Sequence, residues 1–218
     1  MHSSNRVVES DRVIEQFHEL KLDQTTLGTL EKIGYAVPTP IQAAFIPHAL
    51  TGRDCIGQAQ TGTGKTAAFI LPILEQLSDR GLEPQALVLA PTRELALQID
   101  GEATRLCSGH GVRIVTVCGG SPMRRQINEL MRGCGIVVGT PGRVIHLMRE
   151  GLLKLGKIRH IVLDEADRML DIGFRPDIER ILRGLPRDRQ TMLLSATLLD
   201  PVRRLAQRYM KDPVMIDV

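Results

Sequence analysis

The sequence predicts an α/β protein with an open, mostly parallel sheet and helices on both faces. Short apolar segments alternate with segments of helical periodicity along the 218 residues, which is the pattern of repeated βαβ units. Aromatic residues make up only 3% of the chain, so the core must consist of aliphatic side chains, as in parallel strands buried beneath helices. A hydrophobic content of 43% suffices for one large core.

Seven apolar segments account for the predicted sheet. The predicted strands cover residues 55–57, 86–90, 114–118, 136–138, 160–163, 192–194 and 214–216. Before the first strand, apolar residues at helical spacing predict two short helices that end at Gly34. Residues 1–10 are polar and without pattern, so we expect them to be disordered and the domain to occupy residues 11–218.

Composition and charge exclude several classes of protein. Four cysteines, at positions 55, 107, 118 and 134, form no C-x-x-C pair and have no histidine at ligand spacing, so neither a zinc site nor a disulfide framework is indicated. The sequence has no apolar run of about 18 residues and no signal-like start, so we expect a cytoplasmic protein outside the membrane. A net charge of +3, with arginine more frequent than lysine, permits an anionic partner. Codon bias is the alternative explanation for the arginines.

A glycine-bearing loop, residues 59–66 with the sequence AQTGTGKT, lies between a predicted strand and a predicted helix. In this arrangement, backbone N–H groups of the loop and of the first helical turn surround an anion. Lys65 can reach the β- and γ-phosphates of a nucleotide, and the Thr66 hydroxyl can bind Mg²⁺. The usual pattern begins with Gly where this chain has Ala59, and a mobile surface loop is the alternative. The predicted nucleotide contacts are Ala59, Thr61, Gly62, Thr63, Gly64, Lys65 and Thr66.

Two acidic residues directly follow the predicted strand at 160–163. Because ligands of open parallel sheets bind outside the carboxyl ends of the strands, Asp164 and Glu165 should lie beside the glycine-bearing loop. Asp164 is the predicted Mg²⁺ partner, partly through water, and Glu165 is predicted to orient and deprotonate the attacking water. An acidic N-cap on the next helix is the alternative.

Other polar residues at strand exits have structural alternatives of their own. Thr92 and Thr140 are residue types that cap helices, and Gly119 with Gly120 can form a tight turn. They nevertheless share the sheet edge with the glycine-bearing loop, so polar chemistry is concentrated there.

Gln42 has two possible roles. It lies three residues after Thr39, with Pro40 suited to the first helical position, which is the spacing of a capping box. Its amide can also donate and accept at once, which is what reading the N6/N7 edge of adenine requires.

The order of these motifs resembles that of a known family. In chain order the sequence contains Gln42, AQTGTGKT at 59–66, PTRELA at 91–96, GG at 119–120, TPGR at 140–143, DEAD at 164–167 and SAT at 195–197. This series resembles the DEAD-box RNA helicases from about Phe17 to the C-terminus, and Ala59 is the family's own variant of the loop. The resemblance implies a RecA-like P-loop NTPase domain, with an adenine-reading segment at 17–42 and an ATPase core at 43–218.

The resemblance also implies ligands and residue roles. Phe17 stands where the family has an aromatic ring that stacks on adenine, and Gln42 stands where the family reads the adenine edge, so ATP or ADP with Mg²⁺ would be bound. Ser195, Thr197 and Asp167 would link nucleotide state to RNA binding. The implied RNA contacts are Pro91, Thr92, Arg93, Gly119, Gly120, Thr140, Gly142 and Arg143. Such backbone contacts are largely independent of base sequence.

One part of the family pattern is absent from this chain. No HRxGR-like segment follows Thr197, so we expect the second RecA-like domain and its arginine finger to be missing. Because an arginine finger contributes about 10³–10⁵ in rate, the chain alone should be a monomer that binds nucleotide, hydrolyses it poorly and unwinds nothing. A GTPase is excluded because neither Asn5 nor Asn128 begins an N-K-x-D motif.

Overall fold

The computed structural model describes residues 14–60, 62–78 and 83–218. Residues 1–10, for which disorder is expected, and Thr61 lie outside these ranges. The strands are β1 (Cys55–Gln58), β2 (Ala86–Leu89), β3 (Ile114–Val117), β4 (Ile136–Gly139), β5 (His160–Leu163), β6 (Gln190–Ser195) and β7 (Val214–Asp217). The helices are α1 (Gln24–Lys32), α2 (Pro40–Leu50), α3 (Lys65–Gln76), α4 (Arg93–Leu106), α5 (Met123–Met131), α6 (Pro141–Arg149), α7 (Ala166–Asp171), α8 (Arg175–Gly184) and α9 (Asp200–Tyr209).

The seven strands form one sheet in the order β3-β4-β2-β5-β6-β1-β7, and all neighbouring strands are parallel. This confirms the predicted open α/β sheet, and every predicted strand overlaps an observed one. Strands β2, β4, β5 and β6 consist entirely of buried residues, as expected of strands that are covered on both faces.

The core has two layers because side chains alternate along the buried strands. In β2, Ala86 and Val88 join the cluster that contains α1 to α4, whereas Leu87 and Leu89 join the cluster that contains α5 to α9. Helices therefore cover both faces, as predicted. Gly57 in β1 permits the close approach of α2, because a Cβ at this position would lie 3.2 Å from the ring of Phe45.

The carboxyl ends of the strands form one edge, and strand order divides this edge into two halves. The segments that follow β5, β6 and β1 contain the predicted nucleotide contacts and lie side by side. The segments that follow β3, β4 and β2 contain the predicted RNA contacts and form the adjoining half. Since neighbouring strands are about 4.8 Å apart, a ligand on one half lies close to a ligand on the other.

The N-terminal helices differ from the prediction in one respect. The sequence predicts two short helices before Gly34, but the first is a single 3₁₀ turn, Phe17–Leu20. Lys21 adopts a left-handed backbone conformation with φ of 57° and ends this turn. Within the described ranges, no helix has the length and apolar character needed to span a membrane.

Candidate functional site

The glycine-bearing loop connects the end of β1 to the first residue of α3. Gly62 and Gly64 have φ values of 79° and 87°, which are accessible to glycine without strain. The loop is anchored to the sheet by the Ala59 N–H, which donates to the Ser195 carbonyl at 3.1 Å. The loop therefore leads into the N-terminus of a 12-residue helix, where unpaired backbone N–H groups and the helix dipole favour an anion. Thr61 is outside the described residues.

Lys65 and Asp164 form the charged centre of the candidate site. Lys65 is buried, and its Nζ donates to the Ala59 carbonyl at 3.3 Å. Asp164 is 3% exposed at the end of β5. Burial raises the pKa of Asp164 to about 6, although the positive charge of Lys65 opposes this rise and the charge of Glu165 adds to it. An ammonium and a carboxylate whose charges interact thus lie beside the helix N-terminus.

Glu165 has an unusual backbone conformation. Its φ and ψ are both 52°, in the left-handed region, which is unfavourable by about 1–2 kcal/mol for a residue with a Cβ. Although Glu165 occupies the N-cap position of α7, its side chain makes no capping hydrogen bond within the described chain. The carboxylate instead lies 3.7 Å from Nη1 of Arg168 and is 12% exposed. The acidic-cap alternative therefore does not explain the Glu165 side chain.

The predicted Mg²⁺ ligands are Thr66, in the first turn of α3, and Asp164. Among the residues that the structure describes, no group of three His, Cys, Asp or Glu side chains could hold a metal ion. Mg²⁺ is usually held by one or two protein oxygens together with water and substrate phosphates. The hydroxyl of a partly exposed threonine and a carboxylate beside the glycine-bearing loop fit that donor set.

Both polar atoms of the Gln42 amide form hydrogen bonds within the protein. Its Oε1 accepts a hydrogen bond from the Thr39 N–H at 2.9 Å, which confirms the capping alternative, and its Nε2 donates to the Gly64 carbonyl at 3.0 Å. The contact is so close that a Cβ on Gly64 would lie 2.4 Å from Nε2. Gln42 is only 1% exposed, yet its amide retains one N–H and one lone pair. Adenine reading by Gln42 stays a prediction.

Phe17, the predicted adenine platform, lies on the same side of the sheet as α2. It is 5% exposed, and its ring is 6.1 Å from that of Tyr35 at an angle of 56°. The Tyr35 hydroxyl donates to Oε1 of Glu102 at 2.6 Å and thereby fixes its ring. Phe17, Gly34 and Tyr35 line a cavity of about 460 Å³. That volume is within the range of small-molecule sites, and stacking on Phe17 stays a prediction.

The three predicted coupling residues contact one another. Thr197 donates from both its N–H and its Oγ1 to Oδ2 of Asp167, each at 2.9 Å. The Asp167 N–H donates to Oγ of Ser195 at 3.2 Å, and Ser195 Oγ donates to the Thr197 carbonyl at 2.7 Å. Burial alone would raise the pKa of Asp167, but the hydrogen bonds from Thr197 help to lower it below its ordinary value. Hydrogen bonds therefore connect the DEAD and SAT segments, at the half of the edge that contains the predicted nucleotide contacts.

The predicted RNA contacts also converge, and part of their structural alternative is confirmed. Thr92 caps α4 by accepting from the Leu95 N–H at 3.2 Å, whereas Thr140 makes no such side-chain bond at the start of α6. Arg93 donates to the Gly119 carbonyl at 3.4 Å. Pro91 is buried behind this surface, and Gly120, Gly142 and Arg143 are exposed or partly exposed on it. RNA binding by these residues stays a prediction.

Gln126, in α5, is a site residue that sequence reasoning missed. It is 5% exposed, donates from Nε2 to the Cys118 carbonyl at 2.9 Å and accepts at Oε1 from Arg143 Nη1 at 2.9 Å. It thereby links the TPGR segment to the strand that leads into Gly119. Its position three after Met123 and four before Leu130 places a polar residue on the inner face of an amphipathic helix. That placement is the signal from which it could be found.

We expect Gln126→Leu to weaken RNA binding about three- to tenfold, because losing one or two hydrogen bonds that orient Arg143 removes roughly 1 kcal/mol. The affinity for ADP should not change, since the Gln126 side chain contacts Cys118 and Arg143, on the half of the edge that contains the predicted RNA contacts. Fluorescence anisotropy with a labelled single-stranded RNA and calorimetry with ADP measure the two affinities. Gln207→Leu, at an exposed position of α9, is the control. Equal losses of RNA and ADP affinity would indicate general damage to the fold.

Comparisons with known proteins identify a family and relatives that are similar to this chain. The sequence model of the DEAD/DEAH box helicases matches residues 39–205. The chain is 48% identical over 202 residues to the DEAD-box ATP-dependent RNA helicase CshA of Geobacillus kaustophilus, with 93% of this chain and 43% of the relative covered. It is 47% identical over 203 residues to the ATP-dependent RNA helicase CshA of Listeria monocytogenes, with 93% and 39% covered. The chain thus spans about two fifths of the length of these relatives.

A solved structure extends the similarity to the fold. The crystal structure of a DEAD box protein from the hyperthermophile Methanococcus jannaschii superposes with a TM-score of 0.89 at 37% identity. The match covers 93% of this chain and 56% of that one.

Proposed function

Because the chain belongs to the DEAD/DEAH box helicase family, we propose that it is the nucleotide-binding, RecA-like domain of an ATP-dependent RNA helicase. In this proposal residues 11–218 form one domain, in which segment 17–42 reads adenine and residues 43–218 form the ATPase core. A second RecA-like domain of the same protein would supply an arginine finger. Alone, this chain would be a monomer that binds ATP or ADP and hydrolyses ATP slowly. Four buried free cysteines support a reducing, cytoplasmic location.

The observation that carries the proposal is the charge pair Lys65–Asp164 beside the N-terminus of α3. With a triphosphate in the glycine-bearing loop, the Lys65 ammonium would donate to a phosphate oxygen instead of the Ala59 carbonyl, because a phosphate oxygen is a stronger acceptor. Thr66 and Asp164 would supply oxygens to Mg²⁺. When bound, Mg²⁺ neutralises phosphate charge and polarises the γ-phosphate.

Glu165 is the proposed general base. Its side chain lies beside Arg168, whereas that of Asp164 interacts with the charge of Lys65, so two adjacent carboxylates can serve different functions. Its carboxylate can orient water and accept a proton from it. Arg168, at 3.7 Å, keeps this carboxylate positioned.

Asp167, Ser195 and Thr197 are proposed to transmit nucleotide state to bound RNA. Their hydrogen bonds join the exit of β6 to α7, immediately after Glu165. A shift of Glu165 on nucleotide binding would therefore reach the SAT segment directly. RNA would bind through its backbone to the half of the edge that follows β3, β4 and β2. Because backbone contacts do not read the bases, we expect little preference for base sequence.

Calorimetry of this chain with ATP, inosine triphosphate and GTP tests the adenine-specific part of the proposal. Inosine triphosphate has the same phosphates and sugar as ATP but lacks the N6 amino group. We expect the chain to bind ATP at least about tenfold more tightly than either alternative, which corresponds to one or two hydrogen bonds to the base.

Gln42→Ala separates base reading from loop support. Because Gln42 also holds the Gly64 carbonyl, the variant should lose some affinity for all three nucleotides. If Gln42 reads adenine, it should in addition lose the preference for ATP. An equal loss for all three nucleotides would show that Gln42 acts only as a cap and loop support, and Gln98→Ala, exposed on α4, controls for the substitution.

A further inference from the structure

A groove rich in arginine lies between α6 and α8, away from the nucleotide half of the edge. Its volume is about 530 Å³, and its lining includes Arg149 of α6 and three arginines of α8. We call it the arginine groove; its charged lining is Arg149, Arg175, Arg180 and Arg183, with the carboxylates of Asp177 and Glu179. The helices pack closely here, because a Cβ on Gly184 would lie 3.0 Å from Cε of Met148.

The arginine groove is continuous with the predicted RNA contacts along α6. This helix begins beside Thr140 at the sheet edge and carries Arg143 in its first turn and Arg149 at its end. At a rise of 1.5 Å per residue, the two arginines lie about 9 Å apart along the axis. His146 is exposed between them, and no acidic residue occurs within α6. A polyanion that contacts Arg143 would therefore meet more positive charge along the same helix.

Glu179 organises part of the groove. Its carboxylate pairs with Arg175 at 3.0 Å, Arg183 at 2.7 Å and Arg208 at 3.6 Å. The hydrogen bond from Arg175 lowers the pKa of Glu179, so the group contains three guanidinium groups and one carboxylate and has two net positive charges. Arginines that are already held in place lose less conformational freedom when they bind an anion.

Two other arginines of the groove have no such partner. Arg149 and Arg180 are exposed, and the side chain of neither forms a hydrogen bond or ion pair with any residue in the described ranges. Their forked donors match phosphate oxygens in geometry and charge. We propose that the arginine groove binds backbone phosphates of the same RNA strand that contacts Arg143, and so lengthens the RNA path beyond the sheet edge. This rests on the proposed RNA binding at that edge.

The test uses a double variant that carries both Arg149→Gln and Arg180→Gln, and compares it with the unchanged chain. Fluorescence anisotropy is measured with two labelled single-stranded RNAs, of about 6 and about 18 nucleotides, since the shorter one matches the lower range of single-strand sites. We expect binding of the longer RNA to weaken about fivefold and binding of the shorter RNA to change less than twofold. Losing two phosphate contacts should also reduce the salt slope for the longer RNA by about 1.4.

The matched control is Lys157→Gln with Arg159→Gln, which removes the same charge just before β5, at the amino ends of the strands. It should leave the binding of both RNAs and the salt slope unchanged. A double groove variant that behaves like this control would overturn the groove proposal while the shorter RNA still binds. If the unchanged chain binds neither RNA, the proposed RNA function itself fails. Equal weakening of the binding of both RNAs would also overturn the groove proposal, because the groove would then be part of the RNA site at the sheet edge and would not lengthen the RNA path.

Discussion

Replacing Lys65 by Met should reduce ATP affinity by about 10- to 150-fold, which is the range for losing a hydrogen bond to a charged group, about 1.5–3 kcal/mol. Methionine keeps much of the length and apolar volume of the lysine chain but removes the ammonium group. The loss should be larger for ATP than for ADP, because Lys65 is predicted to contact both the β- and the γ-phosphate. Calorimetry with both nucleotides measures the difference.

The main competing explanation is that Lys65→Met disturbs the fold. Lys65 is buried and lowers the pKa of Asp164, so its removal leaves that carboxylate without its cation. Thermal unfolding without nucleotide reports this effect separately. Lys157→Ala, an exposed lysine that pairs with Glu83 at 4.0 Å, should change neither affinity nor melting temperature. If Lys65→Met binds ATP within twofold of the unchanged chain, the glycine-bearing loop is not the triphosphate site.

The sheet could be predicted from the sequence because parallel strands buried on both faces appear as short, continuously apolar segments. The predicted and observed bounds differ by at most a few residues; the largest difference is β6, predicted at 192–194 and observed at Gln190–Ser195. Gln190 and Thr191 are polar yet buried. Distant partners bind both residues, since the Gln190 side chain donates to the Ala49 and Arg53 carbonyls and the Thr191 N–H donates to Asp54. Apolar periodicity contains no information about such contacts.

The positions of the site residues could be inferred, but their contacts could not. Strand-end motifs fix which residues share the edge, because every parallel strand ends there. The contacts of Gln42 with Gly64 and of Gln126 with Arg143 span 22 and 17 residues and depend on how helices pack against the sheet. The left-handed conformation of Glu165 is equally invisible in a sequence, since glutamate is not one of the residue types that favour it. Sequence reasoning therefore could not predict the contacts and the backbone conformation that hold the site residues in place.

Asp54→Ala should destabilise the fold by about 2–6 kcal/mol, a large fraction of the total stability of a typical domain. Asp54 is 6% exposed, just before β1. Its Oδ1 accepts from the Thr191 N–H at 2.7 Å and its Oδ2 from the Lys211 N–H at 2.6 Å. The carboxylate thus joins the starts of β1 and β6 to the turn before β7. Alanine would leave both backbone donors unpaired, at about 1–3 kcal/mol each.

Asp212→Ala is the matched control for this prediction. Asp212 lies in the same turn as Lys211 and pairs with Arg53 at 3.5 Å, but its side chain is 90% exposed, so its removal should change stability by less than about 1 kcal/mol. Urea unfolding followed by circular dichroism gives both values. If the two variants were equally stable, water would have to satisfy the donors that Asp54 leaves, and the N-terminal edge of the sheet would be less tightly closed than its hydrogen bonds indicate. A large difference would instead identify Asp54 as a support for β1, and so for the glycine-bearing loop that follows β1.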